Sequence, residues 1–536
     1  MSDPRFLIGV DVGTGSARAG VFDAQGLMTA SAAHPIAMHR EGGSIAEQSG
    51  ADIWAGVCRA VRAALAQAGA RPEEIAGIGF DATCSLVVLG PEGASLPVGD
   101  AAHPERNVIV WMDHRAVEQA ERINAGGHRV LDYVGGRISP EMETPKLLWL
   151  KEHRPETYAA AWQFMDLTDF LTWKASGDLA RSICTVTCKW TYMAHERSWD
   201  ADYFRSVGLG DLTDDGFARI GARVVDAGSA LGQGLTAQAA RDLGLRPGTP
   251  VAAGLIDAHA GGIGSVGPEG GGGAEANLAY VFGTSSCTMT STREPVFVPG
   301  VWGPYFSAMV PGLWLNEGGQ SAAGAAIEQL LDHHPHAPEA TRQAQQEGLS
   351  LPAWLARQAE ARAGDNPADL AGGLHVVPEF LGNRAPHADP HSRAVVAGLG
   401  MERDLDSLIA LYVAGLCGLA YGLRQIVETQ AAAGAPVQGI VISGGAGRSP
   451  MIRQLLADAT GLPLAGPETE EPVLLGSAIL AAVAGGIAPD IPHAMARMSR
   501  FDARFAPRDG AIRAMHDRRY AIFRQLQDAA REAARG

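Results

Sequence analysis

Two short segments that read almost alike, about half the chain apart, constrain the fold more than any other feature. Residues 7–22 and residues 278–290 each contain an apolar run, a Gly-Thr turn with a serine two residues after the threonine, and a second apolar run. This pattern predicts a β-hairpin, whose tight turn suits glycine because glycine adopts positive φ at no steric cost. Gly13-Thr14 and Gly283-Thr284 therefore predict two copies of one kind of domain in tandem.

The remaining pattern predicts α/β domains around each hairpin. Apolar strands alternate with stretches of helical periodicity, which favours sheets covered by helices. At 536 residues the chain is long enough for two large domains, and the glycine-rich residues 267–273 predict the linker. We therefore expect an N-terminal domain over residues 1–266, a C-terminal domain over residues 274–490 and a helical extension over residues 491–536.

Local signals place individual helices. Apolar residues recur at helical spacing from Ile53 to Ala68 and stop at Gly69. Thr144 predicts the N-cap of a second helix that has Pro145 at its first position. Residues 335–373 are polar, rich in Ala and Gln and weakly patterned, and they predict an inserted helical surface region without chemistry.

Composition excludes several classes of partner. The formal net charge of −16 argues against general nucleic-acid binding, which needs a basic field. No apolar run reaches the roughly 18–20 residues that span a bilayer. The polar start, Met1 to Arg5, leads into an apolar run too short for a signal peptide. We expect a cytoplasmic protein that binds neither membrane nor nucleic acid.

The six cysteines are scattered, which indicates reduced thiols in a reducing compartment. Cys184 and Cys188 are separated by three residues but lack a second ligand pair at zinc spacing. They predict two small buried side chains.

The first hairpin carries groups that suit a phosphate. Asp11 ends a buried strand, where a carboxylate is costly unless it is paired or binds a cation. The turn Gly13-Thr14-Gly15-Ser16 offers N–H groups and hydroxyls to phosphate oxygens, and Mg²⁺ commonly takes one carboxylate together with phosphate oxygens. An ordinary glycine-rich hairpin is the alternative. The second copy, Gly283-Thr284-Ser285, favours the functional interpretation, because two facing hairpins can bind a polyphosphate from both sides.

A second candidate is Asp257, which follows a short apolar strand and lies in a small-residue loop with His259. Carboxyl ends of such strands face the crevice where α/β sheets bind ligands. A phosphoryl acceptor hydroxyl needs a base to orient it and accept its proton. The alternative for Asp257 is a helix N-cap. His259 is interpreted as a packed or hydrogen-bonding histidine rather than a ligand.

A third candidate is the glycine cluster beginning at Gly444-Gly445, between an apolar strand and the helix that follows Ser449. Such a cluster lets a flat base or a phosphate approach the backbone closely. A plain strand-to-helix turn is the alternative.

Several polar residues with apolar or small neighbours are suited to recognise a polyol, which needs directional hydrogen bonds and often an aromatic wall. The bland alternatives are that Asp113 and Arg115 pair only with each other and that Lys189 is a solvated strand residue. The group consists of Thr83, Cys84, Ser85, Trp111, Asp113, Arg115, Lys189 and Glu317.

Together these segments resemble the FGGY carbohydrate kinases over nearly the whole chain, from Ile8 to about Ala484. The order and spacing of the matching runs are more specific than any one run. The resemblance implies an α/β protein with two ribonuclease-H-like, actin-type ATPase domains and an interdomain catalytic cleft. It also implies ATP and Mg²⁺ as cofactors and a small sugar or polyol as substrate. The matching runs are Asp11–Ser16, Trp111–Arg115, Gly254–His259, Phe282–Ser286 and Gly444–Ser449.

The resemblance also implies individual roles. The run Thr83–Val87 looks like the signature of the D-ribulokinase group, which makes D-ribulose the expected substrate. Asp257 would be the base, Lys189 and Glu317 would hold the ketopentose with it, and Asp11 would lie near Mg²⁺. Ser449 stands where many members carry an Asn that reaches the base, so the nucleotide preference stays open. The residues expected on the nucleotide side are Gly13, Thr14, Gly15, Ser16, Gly283, Thr284, Ser285, Gln320, Gly444, Gly445 and Ser449.

Alternatives stay open at this point. One is a kinase for ribitol, L-ribulose, xylulose or another polyol. A different class is a sugar-independent ATPase on the same actin-type fold, which also has paired phosphate hairpins. A monomer and a homodimer are both compatible with the sequence.

Overall fold

A computed structural model describes residues 5–268 and 270–535 of the chain. The first four residues of the polar N-terminal segment, position 269 within the predicted 267–273 linker, and residue 536 lie outside the described residues.

The chain alternates strands and helices throughout the described residues. The strands are, in chain order, β1 Phe6–Val12, β2 Ser16–Asp23, β3 Met28–Pro35, β4 His39–Glu41, β5 Ile45–Gln48, β6 Ile75–Ala82, β7 Leu86–Leu89, β8 Val108–Ile109, β9 Gln163–Asp166, β10 Arg181–Ser182, β11 Val224–Val225, β12 Leu255–Ile256, β13 Asn277–Phe282, β14 Ser286–Thr292, β15 Trp302–Phe306, β16 Trp314–Gln320, β17 His375–Val377, β18 Val395–Ala397, β19 Gly439–Ser443, β20 Leu464–Pro467 and β21 Phe501–Phe505. The helices are α1 Gly50–Ala68, α2 Val117–Asn124, α3 Glu143–His153, α4 Pro155–Ala160, α5 Leu167–Ser176, α6 Ile183–Trp190, α7 Ala201–Ser206, α8 Gly210–Asp214, α9 Ala237–Leu243, α10 Asp257–Val266, α11 Gly273–Ala276, α12 Gly324–Asp332, α13 Ala337–Gln346, α14 Leu351–Arg362, α15 Leu405–Ala432, α16 Pro450–Thr460, α17 Pro472–Ala484, α18 Ile491–Met498 and α19 Ala511–Arg535.

The N-terminal lobe, up to Val266, is built on a sheet with the order β12-β6-β1-β2-β3. The predicted first hairpin is β1–β2, which pairs antiparallel, while β6 and β12 add parallel strands on the other side of β1. Neither Gly13 nor Gly15 has positive φ, so the expected reason for glycine in this turn is wrong. The turn is instead closed by the Gly13 N–H, which donates to the Ser16 carbonyl at 3.1 Å.

The C-terminal lobe, from Asn277 onward, repeats this plan in a sheet with the order β15-β16-β14-β13-β19-β20-β21. The predicted second hairpin is β13–β14, and β19 pairs parallel with β13 as β6 does with β1. The edge strand β21 comes from residues 491–536 and pairs antiparallel with β20. This segment therefore completes the sheet as well as supplying helices.

Two helices cross between the lobes. Helix α10 leaves the N-terminal sheet and packs on β13 and β19 of the other lobe, whereas α17 of the C-terminal lobe packs on β1 and β6. They contact each other at two glycines. A Cβ added at Gly264 would lie 2.0 Å from the Pro472 backbone oxygen, and one added at Gly476 would lie 2.0 Å from the Ala260 backbone oxygen. Glycine is required here because the two backbones approach too closely for any side chain.

The local helix predictions have mixed outcomes. Helix α1 ends at Ala68 and Gly69 caps it with φ of 62°, which confirms that prediction. The predicted cap at Thr144 is wrong, because α3 begins at Glu143 after Met142. Pro145 is still within the first turn, where its missing N–H costs no helical hydrogen bond.

Two segments of the C-terminal lobe are more deeply packed than their sequence suggests. The segment 335–373 is helical, as predicted, but Trp354 and Leu355 of α14 are buried in the lobe's core. Helix α15 is long and apolar enough to cross a membrane, with a mean hydropathy of 1.5 in its most apolar window, which corrects the expectation that no such run exists. Because 72% of that window is buried inside the protein, the helix has the environment of a core helix.

The crossing predicts a stability effect at Gly476. We expect Gly476→Ala to lower the free energy of unfolding by about 2 kcal/mol. A clash with backbone belongs at the upper end of the about 1–3 kcal/mol that overpacking costs, and higher helix propensity offsets about 1 kcal/mol. Urea unfolding measures the change. Gly364→Ala is the control, since no described atom lies within 4 Å of its added Cβ. Equal stability of the two variants would contradict the close backbone contact.

Candidate active site

Three carboxylates meet at the carboxyl ends of neighbouring parallel strands. Asp11 of β1 lies directly opposite Asp81 of β6, and β12, which pairs beside Asp81, leads into Asp257 at the start of α10. Burial and the negative charge of Asp11 raise the pKa of Asp81 well above its ordinary value. The same two causes raise the pKa of Asp257 to about 6. Asp81 was not predicted, although it ends its strand just as Asp11 does.

The partners of this cluster fit a divalent cation. Arg18 Nε donates to Asp11 Oδ2 at 2.7 Å, and Arg18 Nη1 donates to Glu471 at 2.7 Å. Ser477 Oγ donates to Asp81 Oδ2 at 2.6 Å, while Asp81 Oδ1 has no hydrogen-bond partner among the described residues. An orphaned carboxylate oxygen within a buried acidic cluster is costly unless a cation or a proton satisfies it.

The two hairpin turns leave room for a ligand at the backbone. No described atom lies within 4 Å of a Cβ added at Gly15, and the nearest to one at Gly13 or Gly283 is 3.8 or 3.7 Å away. Internal packing therefore does not require these glycines, whereas an approaching phosphate would. Gly445 has the same open surroundings.

Hydrogen bonds from neighbouring segments fix both turns. The Trp111 indole N–H donates to the Thr14 hydroxyl at 3.1 Å, and Gln48 Nε2 donates to the Thr14 carbonyl at 2.9 Å. The carbonyls of Gly283 and Thr284 accept N–H groups from the start of α12. Ser16 and Ser285 are partly exposed beside these turns.

Some residues predicted on the nucleotide side have internal partners. The Gln320 side chain donates to the Leu419 carbonyl at 3.0 Å and accepts from Tyr280 and Ser286. Ser449 caps α16 and donates to Glu360 Oε1 at 2.8 Å. Gly444 has φ of 95° and lies against the Phe282 carbonyl, which is a structural reason for glycine there.

The residues predicted to hold the sugar come from both lobes, with Lys189 on α6 and Glu317 on β16. Lys189 lies on α6 and is buried, so the alternative of a solvated strand residue is wrong. Burial alone would lower the pKa of Lys189, but nearby Cys84 and Glu317 raise it well above its ordinary value. Burial would raise the pKa of Glu317, but His259 and Lys189 lower it to about 2.

His259 connects Glu317 to a buried thiol. Its Nδ1 lies 3.1 Å from Cys184 Sγ, and its Nε2 lies 3.4 Å from Glu317 Oε2, so both ring nitrogens have a partner. Burial would lower the pKa of His259, but Cys184 and Glu317 raise it to about 10. Burial would raise the pKa of Cys184, but Cys188 and His259 lower it to about 5.

Asp113 and Arg115 pair with each other, as the alternative expects, but Arg115 also binds Glu47 and the Val98 carbonyl. Arg115 Nε and Nη2 donate to the two Asp113 oxygens at 2.8 Å, Nη2 also donates to Glu47, and the Ala46 N–H donates to Asp113 at 2.7 Å. Their polar atoms are thus satisfied inside the lobe.

The segment Thr83–Ser85 lies between Asp81 and β7. The Thr83 and Ser85 hydroxyls are 3.1 Å apart, and the Ser85 hydroxyl accepts the backbone N–H of Trp111 at 3.1 Å. Burial raises the pKa of Cys84, whose thiol lies close enough to Lys189 for their charges to interact.

Besides Asp81, sequence reasoning missed four further residues of this cleft. The Arg384 guanidinium and the Lys189 ammonium lie 5.6 and 5.0 Å from the centre of the Trp302 ring. Burial would raise the pKa of Glu141, but His114, Lys189 and Arg384 lower it. The fourth, Cys287, has its Sγ 3.8 Å from Arg384 Nη1, and burial raises the pKa of its thiol. No glycine motif marks any of these positions except Cys287, which directly follows the second hairpin turn.

Fold and site together define a two-domain sugar kinase of the actin-like ATPase fold, as predicted. The model of the FGGY family of carbohydrate kinases, N-terminal domain, matches residues 6–264, and that of the C-terminal domain matches residues 278–485. The chain belongs to this family, whose members use ATP.

Similar proteins share most of the chain. An FGGY carbohydrate kinase domain-containing protein from Homo sapiens is 44% identical over 98% of this chain and 97% of its own length. A D-ribulokinase from Saccharomyces cerevisiae is 37% identical over 90% of this chain and 72% of its own. A solved xylulose kinase from Rhodospirillum rubrum superposes with a TM-score of 0.82 at 22% identity, covering 99% of this chain and all of that one, and so shares the fold.

The internal pairing of Asp113 predicts a structural role. Asp113→Asn leaves buried Arg115 with Glu47 as its remaining carboxylate, so we expect a loss of about 3 kcal/mol in the free energy of unfolding. The KM for the sugar should stay unchanged. Chemical denaturation and steady-state kinetics measure both. Asp202→Asn, whose side chain is fully exposed, is the control. A tenfold rise in KM without loss of stability would instead indicate contact between Asp113 and the sugar.

Proposed function

We propose that this ATP-dependent carbohydrate kinase phosphorylates a pentulose, and that its preferred reaction converts D-ribulose to D-ribulose 5-phosphate. The similarity to a D-ribulokinase at 37% identity supports this substrate. A ribulokinase from Mycolicibacterium smegmatis, 33% identical over 98% of this chain, supports the same substrate class.

The observation that carries the proposal is the meeting of Asp257, Lys189 and Glu317. Asp257 and Lys189 come from the N-terminal lobe and Glu317 from the C-terminal lobe. A sugar between them would meet a base, a cationic donor and an anionic acceptor, with the Trp302 ring beside Lys189. A polyol requires such directional contacts, whereas an ATPase that releases phosphate to water does not.

Asp257 is the proposed general base. In the reaction the sugar hydroxyl oxygen forms a bond to the γ-phosphorus, the bond from that phosphorus to the bridging oxygen of ADP breaks, and the hydroxyl proton passes to the Asp257 carboxylate. With a pKa of about 6, Asp257 is ionised at neutral pH and still basic enough to accept this proton.

Asp11 and Asp81 are proposed to hold Mg²⁺. The bound ion would supply positive charge to the phosphate oxygens. The chain's own contribution is to fix both carboxylates, through Arg18 on Asp11 and Ser477 on Asp81.

The nucleotide is proposed to lie between the hairpins. The open turns at Gly13, Gly15 and Gly283 would present N–H groups to the phosphates, and the surroundings of Gly445 leave space for the adenosine. Closure of the lobes would exclude water that otherwise hydrolyses ATP. A cytoplasmic enzyme has this nucleotide available.

A substrate panel tests the function. In a coupled assay of ADP release we expect D-ribulose to give the highest kcat/KM among D-ribulose, L-ribulose, D-xylulose, ribitol and glycerol. The reason is that ribulokinases are among the similar proteins, whereas the xylulose and glycerol kinases share only the fold. A higher kcat/KM for another sugar or polyol would identify that compound, rather than D-ribulose, as the preferred substrate. ADP release that is the same with and without every sugar would favour the sugar-independent ATPase.

Removing the base tests the mechanism. Asp257→Asn keeps the side-chain shape but cannot accept the proton, so we expect kcat for the sugar to fall about 10²–10⁴-fold. The Kd for ATP, measured by titration calorimetry, should change less than about threefold. Asp202→Asn should retain full activity. An Asp257→Asn enzyme with normal kcat would exclude Asp257 as base.

A further inference from the structure

Behind the proposed sugar site lies a buried cluster of sulfur and nitrogen atoms. Cys184 Sγ, Cys188 Sγ and a ring nitrogen of His259 all lie within 4.8 Å of one another. The three side chains are at most 1% exposed. Thiolate and imidazole are the ligands that zinc and similar divalent cations prefer, whereas Mg²⁺ prefers oxygen.

The fold explains why these atoms meet. Cys184 and Cys188 are four residues apart on α6 and so share one helix face. His259 is the third residue of α10, and the Ile256 N–H donates to Cys184 Sγ at 3.4 Å, which holds α6 against the start of α10. The sequence spacing of the cysteines did not predict a metal site because the third ligand comes from a distant segment.

His259 also has the kind of hydrogen-bond partner that metal-bound histidines have. Metal-bound histidines usually donate their other ring N–H to a carboxylate, a backbone carbonyl or a water molecule. Here His259 Nδ1 faces Cys184 and Nε2 lies 3.4 Å from Glu317 Oε2. The Tyr305 hydroxyl is buried and lacks a hydrogen-bond partner in the described part of the chain.

Charge balance favours a divalent ion in this position. Two thiolates and one neutral imidazole carry a charge of −2, so a divalent cation makes the buried group neutral. Without the cation, the thiols and the imidazole either keep their protons or form separated charges. Separated charges are costly away from water. Binding would release the protons from the thiols and the imidazole.

We propose that Cys184, Cys188 and His259 form a binding site for a thiophilic divalent cation of the zinc class, with Glu317 orienting His259. The site is separate from the carboxylates Asp11 and Asp81, whose oxygen ligands suit a different ion. Its role is structural. It joins α6, which carries Lys189, to α10, which begins at Asp257, and it fixes Glu317 through His259. The proposal rests on ligand chemistry and stands whichever sugar is the substrate.

Metal content and a spectroscopic probe test the site in the full-length protein. We expect the chain, purified without chelator, to contain about one zinc ion. Because the ligands are buried, exchange requires unfolding with chelator and refolding with Co²⁺. The refolded protein should show the thiolate-to-cobalt absorption band in the near ultraviolet.

Variants assign the ligands. Cys184→Ser and Cys188→Ser should each lose the near-ultraviolet band or reduce it at least by half, and Cys417→Ser, a buried cysteine of α15, should keep it. If a ligand variant does not fold, Glu317→Gln serves instead, and we expect it to weaken Co²⁺ affinity about 10–100-fold. The proposal is overturned if neither zinc nor the cobalt band appears in the parent protein. It is equally overturned if the band survives unchanged in both Cys184→Ser and Cys188→Ser. Neither readout requires sugar turnover, so an inactive enzyme with bound metal would contradict the proposed function alone.

Discussion

The crossing of α10 and α17 is the contact on which the rest of the structure depends. Each helix lies on the sheet of the other lobe, and glycine at Gly264 and Gly476 brings the two backbones together without intervening side chains. Such a contact resists sliding, because no flexible group separates the helices. It also places functional groups, since α10 begins with Asp257 and α17 supplies Ser477 to Asp81.

Burial without full compensation explains the chemistry of the cleft. Asp11 and Asp81 are buried, and Asp257 is half-buried. Burial and the charge of Asp11 raise the pKa values of Asp81 and Asp257, although Arg18 pairs with Asp11. Around Glu317 the charges alternate in sign, and the neighbouring Lys189 and His259 keep Glu317 ionised. The two parts of the cleft thus differ in charge. The cluster of Asp11, Asp81 and Asp257 lacks positive charge, whereas the charges around Glu317 are balanced.

The sequence predicted what depends on local patterns and not what depends on contacts between distant segments. Both hairpins, the tandem α/β plan and the family followed from motifs with fixed spacing. The reason given for Gly13 was wrong because turn geometry cannot be read from a Gly-Thr pair alone, and the surroundings of its missing side chain suggest a ligand instead. Trp302 and Arg384 could not be predicted, because they reach the cleft through tertiary packing and neither lies in a recognisable motif.

The contact between His259 and Glu317 links the internal order of one lobe to its position against the other. His259 is fixed by Cys184 within the N-terminal lobe, whereas Glu317 lies on a strand of the C-terminal lobe. If the cleft opens, water replaces each partner, so the pair adds little net energy to closure. Its effect is on geometry, because in the closed state Glu317 has one favourable direction, which also faces Lys189. The α10–α17 crossing and the His259–Glu317 contact therefore have different roles. The crossing determines which residues of the two lobes can meet, and the polar contact determines how Glu317 is oriented.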